Sequence, residues 1–213
     1  KCRYCKTKIS PRYALVELLT AGLFAMMYFV FGQAISIDLI ASLVMVSILI
    51  NVFFVDIDHH IIPDEFVIFG TITGALFAAA NAFTDYKMGI YGDLNWWNPL
   101  LGATLGFGIL FLIATIGIKI YKTDNAMGFG DVKLFLPIGL FLGWQMTLFA
   151  MFFAFIFGAI VGVIAMTLRK GKSEGSEEDS EPFGLPFGPS IAIGVMAAYT
   201  IGWPILNWYI GRF

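Results

Sequence analysis

Apolar runs of membrane-crossing length follow one another along the chain, separated by short polar interruptions. Seven can be marked, at approximately 14–31, 39–55, 66–83, 100–118, 132–142, 148–168 and 191–208. A helix rises about 1.5 Å per residue and the hydrocarbon core is roughly 30 Å thick, so six of these runs can span a bilayer. The fifth is too short. It is expected to be a partly inserted helix or one that starts in a recess, and it begins directly after Asp131. The pattern predicts an all-α polytopic membrane protein with about seven transmembrane helices, one of them short.

The interruptions carry local start and stop signals. Ser10-Pro11 reads as an N-cap followed by proline at the first helical position, where a missing N–H costs nothing. Pro63-Asp64-Glu65 opens the third run in the same way, with acids at the positive end of the helix dipole, and this makes 57–62 a tight link. Residues 85–98, with Trp96-Trp97, read as a loop whose indoles sit at headgroup level. Residues 169–189 are expected to form a flexible cytoplasmic loop, because 173–181 are only Ser, Gly, Glu and Asp. The proline-rich 182–189 stretch is expected to enter the last span in extended form. Gly102, Gly106 and Gly108, like Gly158 and Gly162, are expected to permit close helix crossing.

Composition strengthens the membrane reading. Hydrophobic residues make up 59% of the 213, charged residues only 13%, and the mean hydropathy is +0.82. Soluble domains carry about 25% charged residues. With a net charge of −2 there is no basic surface for nucleic acid. The sign of the loops sets the orientation. With the N-terminus inside, eleven basic residues (Lys1, Arg3, Lys6, Lys8, Arg12, Lys119, Lys122, Lys133, Arg169, Lys170, Lys172) fall on the cytoplasmic side. Two, Lys87 and Arg212, fall outside. The same orientation places both the 56–64 and the 123–131 segments at the cytoplasmic face.

Two acids in those segments stand out. Asp56, in Asp56-Ile57-Asp58-His59-His60-Ile61-Ile62-Pro63-Asp64, and Asp131, in Gly128-Phe129-Gly130-Asp131, end apolar runs. A carboxyl near hydrocarbon is expensive and usually marks a wet cavity where transport or chemistry occurs. Two carboxyls sharing one proton can hydrolyse a peptide bond, one activating water and the other protonating the leaving group. Gly128 and Gly130 allow positive φ and a close backbone approach, so an extended substrate could lie beside Asp131. The plainer alternatives are a helix cap for Asp131, an interfacial position for Asp56 and Asp58, and a helix-start acid for Asp64. Glu17 reads equally as a site residue or an interfacial one. His59 and His60 are adjacent, which disfavours their binding one ion together.

Taken in order along the chain, these motifs resemble the type IV prepilin peptidases, membrane aspartyl proteases of the Gly-x-Gly-Asp type. The resemblance runs through Cys2-x-x-Cys5, Tyr13 to Thr20, Asp56 to Asp64, Gly128 to Lys133 and Pro186-Phe187-Gly188-Pro189. It implies Asp56 and Asp131 as the catalytic dyad, Gly128 and Gly130 as the active-site loop, and Asp58, Asp64 and Lys133 in support. It also implies prepilin or pseudopilin substrates cut after a Gly at the cytoplasmic face of the bacterial inner membrane. Many members also N-methylate the new terminus with S-adenosylmethionine and carry two Cys pairs that look like a zinc site. Only Cys2 and Cys5 are present here, and two thiolates do not close a tetrahedral zinc site. Residues 1–12 are therefore expected to be the remnant of a cytoplasmic Cys-containing domain ahead of a membrane-embedded peptidase domain, 13–213. A second pair and an eighth span are expected upstream. Two rival readings are a proton- or cation-coupled transporter, which would place acids near mid-bilayer, and a non-catalytic assembly subunit.

Overall fold

The computed structural model describes residues 3–8, 10–84, 86–92, 96–121, 128–170 and 186–211. They form helices and connecting turns, with no strand among the described residues. The helices are α1 (Pro11–Val30), α2 (Ile37–His59), α3 (Asp64–Phe83), α4 (Asn98–Tyr121), α5 (Phe129–Lys170), α6 (Gly188–Ala197) and α7 (Trp203–Ile210). A π-helical stretch, Ala198–Gly202, joins α6 to α7 into one span. The wider turn absorbs Pro204, whose ring would otherwise strike the carbonyl of Thr200.

Six of the described helices are long and apolar enough to cross a membrane, counting α6 to α7 once. The protein is therefore a multi-pass membrane protein. The fifth and sixth sequence runs prove to be one helix, α5, broken at Gly143, where φ is 72° and ψ is 173°. Its arms, 129–142 and 144–170, double back on each other. A β-carbon on Gly106 of α4 would lie 3.0 Å from both the Phe135 carbonyl and the Thr147 methyl. In a straight helix those residues would be about 18 Å apart along the axis. The first arm is the short insertion expected from the sequence, roughly 21 Å long at 1.5 Å per residue.

Backbone contact between small residues brings the helices together. Gly102 of α4 packs on the Gly139 and Gly143 backbone, and Gly194 of α6 packs on Ala150 and Ala154 of the second arm. Gly70 and Gly74 of α3 receive Pro137, Leu140 and Phe141 of the first arm. The shared core holds Met45, Leu49, Val132, Phe135, Ile138, Phe141, Met146, Ile191 and Val195. α1 is peripheral, with only Met27 buried. Among the glycines expected to mediate crossings, Gly108 touches nothing and Gly158 meets the Phe187 ring instead of a helix backbone.

Several boundaries differ from the sequence reading. Ser10 does cap α1, its Oγ accepting the Arg12 N–H at 3.3 Å, so residues 11–12 belong to the helix. Ile57, Asp58 and His59 form the last turn of α2, which leaves 60–63 as the link; intrahelical hydrogen bonding outweighs the local polarity. His60 ends α2 in the left-handed region, its N–H donating to the Asp56 carbonyl. Residues 169–170 continue α5, and Gly188 and Pro189 already lie in α6, where proline is tolerated in the first turn. The acidic tract 173–181 and residues 182–185 lie outside the described residues.

Candidate active site

Four chain segments meet at one end of the bundle: the last turns of α2, the 60–63 link with the start of α3, the first turn of α5, and the start of α6. Asp56 lies on the inward face of α2 and is 5% exposed. Its Oδ2 accepts the Gly188 N–H at 2.7 Å. Gly188 opens α6, so Asp56 supplies a carboxyl to the positive end of that helix from another helix. A β-carbon at 188 would stand 2.8 Å from Asp56 Oδ2, so only glycine leaves room for this approach.

Asp131 sits in the first turn of α5, half-buried, its N–H donating to the Gly128 carbonyl at 3.1 Å. Its carboxyl folds back over Gly128, where a β-carbon would lie 2.9 Å from Oδ2. Asp131 stands within electrostatic reach of Asp56. Gly130 faces Ile62, whose Cβ would lie 3.1 Å from a β-carbon at 130, and this draws the link against the first arm. The left-handed glycines among the described residues are Gly32, Gly92 and Gly143. Gly130 is therefore needed for space and not for positive φ, which corrects the sequence argument.

The expected supporting residues form ion pairs with other residues and not with Asp56 or Asp131. Lys133 Nζ bonds Asp64 at 3.0 and 3.3 Å and lies 5.1 Å from the Phe129 ring centre, bracing the start of α5 against the start of α3. Asp58 is exposed and pairs with Arg12, whose guanidinium also lies over Phe54, so the pair ties α1 to α2. Glu17 lines a groove of about 450 Å³ between α1 and α2, with Ser10, Arg12, Asn51 and Phe54, and is not part of the aspartate pair.

The donors available to a metal stand apart. Cys5 is exposed and bonds Thr7 Oγ1 at 2.8 Å, while Cys2 lies outside the described residues. His59 and His60 are exposed at the end of α2. No group of three or more His, Cys, Asp or Glu side chains able to hold an ion gathers among the described residues. The described donors by themselves do not make up a zinc site.

Sequence reasoning missed a polar cluster at the opposite end. Asp38, buried in the first turn of α2, accepts the Tyr86 hydroxyl at 2.6 Å and the Ile90 N–H at 3.3 Å. Asn98 bonds the Tyr91 carbonyl and the Trp144 N–H. Ser36 two residues before Asp38 was an available N-cap signal, and its Oγ accepts the Leu39 N–H at 3.1 Å.

Comparison with known proteins bears on the first cluster. A family model described as "Type IV leader peptidase family" matches residues 43–163, which include Asp56 and Asp131. A second, "Bacterial Peptidase A24 N-terminal domain", matches residues 1–31. The chain is similar to a prepilin leader peptidase/N-methyltransferase of Bacillus subtilis, 37% identical over 210 residues, covering 99% of this chain and 74% of that protein. Proteins of the same description in Myxococcus xanthus and Neisseria gonorrhoeae are 34% and 32% identical over 151 and 143 residues. Those matches cover 70% and 67% of this chain, and 40% and 46% of the relatives, so the chain aligns with less than half the length of either. No solved structure matches the chain significantly.

Proposed function

The chain belongs to the type IV leader peptidase family, and from that premise we propose that it is a membrane aspartyl endopeptidase, hydrolysing the leader peptide bond of prepilins or pseudopilins with Asp56, Asp131 and water. The observation that carries this reading is the convergence of Asp56 and Asp131 at one end of the bundle, within electrostatic reach of each other. Like charges that feel each other in desolvated surroundings resist ionising together, so the pair would hold one proton between them.

The hydrogen bond from Gly188 at the start of α6 favours negative charge on Asp56 and supports it as the general base. Asp131 would then carry the shared proton. Asp56 takes a proton from the attacking water, and the hydroxide adds to the scissile carbonyl. Asp131 protonates the departing amine, and the C–N bond breaks. Gly128 leaves the side of the Asp131 carboxyl free of a β-carbon, which supports access by a substrate backbone. The substrate would present a basic leader at the membrane surface and an apolar helix among the spans. Lys133, Asp64, Asp58 and Arg12 would keep the helix ends in register.

The distribution of basic residues supports an active site facing the cytoplasm, and the bacterial relatives support the bacterial cell (inner) membrane as its place. N-methylation, the second activity in the relatives' names, would draw on S-adenosylmethionine, and hydrolysis by the dyad is independent of it. Incubating the purified protein with a prepilin and following the substrate's mobility shift tests the proposal. Asp131→Asn should lower the cleavage rate by about 10²–10⁴-fold without impairing membrane insertion, whereas Asp64→Ala should retain partial activity. Undiminished cleavage by Asp131→Asn would remove the dyad from the account.

A further inference from the structure

The break in α5 separates two backbone groups that a continuous helix would join. In an unbroken α-helix the Trp144 N–H donates to the Leu140 carbonyl, four residues back. At φ 72° and ψ 173°, Gly143 takes the chain out of the helical region between them. Each group finds a side-chain partner just before or at the start of α4. The Tyr91 hydroxyl donates to the Leu140 carbonyl at 2.6 Å, and the Trp144 N–H donates to Asn98 Oδ1 at 2.8 Å. The two partners are themselves joined, Asn98 Nδ2 donating to the Tyr91 carbonyl at 2.8 Å. Tyr91 and Asn98 are each only 1% exposed, so water has little access to these bonds. A β-carbon at 143 would run into Asn98 Oδ1 and the Tyr91 ring.

This arrangement closes the far end of the arm that carries Asp131. Asp131 and Gly143 stand twelve positions apart on this arm, a rise of about 18 Å. With Leu140 and Trp144 held and Gly139 seated on Gly102, the arm cannot slide along its axis without breaking these hydrogen bonds. We propose that Tyr91 and Asn98, at the end of the bundle opposite the candidate active site, are positioning residues that set the height of Asp131 against Asp56. The proposal rests on the peptidase reading for its kinetic consequence. A proton-sharing pair tolerates little misplacement, and an error of about 1 Å costs on the order of 100-fold in rate.

The test uses the full chain with both cysteines replaced by serine, carrying Tyr91→Phe or Asn98→Leu. Each variant is measured twice, once for prepilin cleavage and once, with Ile62→Cys and Gly130→Cys added, for the rate of oxidative cross-linking. Positions 62 and 130 face each other, a β-carbon at 130 lying 3.1 Å from Ile62 Cβ, so a Cys pair there can close once the link gives by a few tenths of an ångström. The expected result is a kcat lower by about tenfold or more with KM within about twofold, and cross-linking slowed in parallel, in proteins of unchanged helicity. Tyr91→Phe loses a single hydroxyl and keeps the test open should Asn98→Leu not fold. Cross-linking at the parental rate, or a kcat that does not fall, in a folded variant overturns the proposal. A parental protein that cleaves no prepilin removes the peptidase reading alone, because cross-linking still reports the height of the arm.

Discussion

Because Asp56 Oδ2 accepts the Gly188 N–H, exchanging Asp56 for alanine would remove a helix cap together with any chemistry. Asparagine keeps an acceptor and isolates the charge. Gly128 offers a second single-residue test, since a β-carbon there meets the Asp131 carboxyl. Gly128→Ala should lower the prepilin cleavage rate by about tenfold or more while leaving thermal unfolding within about 0.5 kcal/mol of the parent, as the position is exposed. The two aspartates were legible because carboxyls are costly beside hydrocarbon. The Gly188 contact was not legible, since it joins residues 132 positions apart and leaves no periodic trace.

At the scale of elements, the first arm of α5 depends on backbone-to-backbone packing. A β-carbon on Gly139 would overlap Gly102 and Ala103 of α4, where no flexible side-chain end can yield. Gly139→Ala should therefore destabilise the protein by about 1–3 kcal/mol, read as an earlier unfolding midpoint in detergent. Gly108→Ala, which meets open space, should not. The apolar runs forecast each helix because hydropathy reports the solvent a helix must satisfy. The doubling back at Gly143 was legible only as a gap between two runs, because Tyr91 and Asn98 make the turn from another segment. Ile57, Asp58 and His59 were misread as a link for the converse reason: polar side chains extend a helix readily where its last turn leaves the membrane.

Across the whole molecule, polar networks hold both ends of an apolar bundle. At the end opposite the aspartate pair, burial first and the hydrogen bond to Asp38 second push the Tyr86 phenol above its ordinary value. Burial, then the charge of Asp38, does the same to Tyr91. The folded state thus favours both neutral phenols. Their stabilising contribution is complete below the ordinary tyrosine value, about 10, and is lost as pH rises through the higher folded values. Stability should therefore fall above about pH 10, and Tyr86→Phe should flatten that fall in unfolding curves recorded across the alkaline range.

The central claim is that Asp56 and Asp131 act as one unit, and residues that act as a unit do not contribute additively. The most direct measurement compares the prepilin cleavage rates of Asp56→Asn, Asp131→Asn and the double variant under the same conditions. The account predicts that each single change lowers the rate about as far as the double change does. Losses that multiply in the double variant, or a single variant that cleaves at the parental rate, would contradict it.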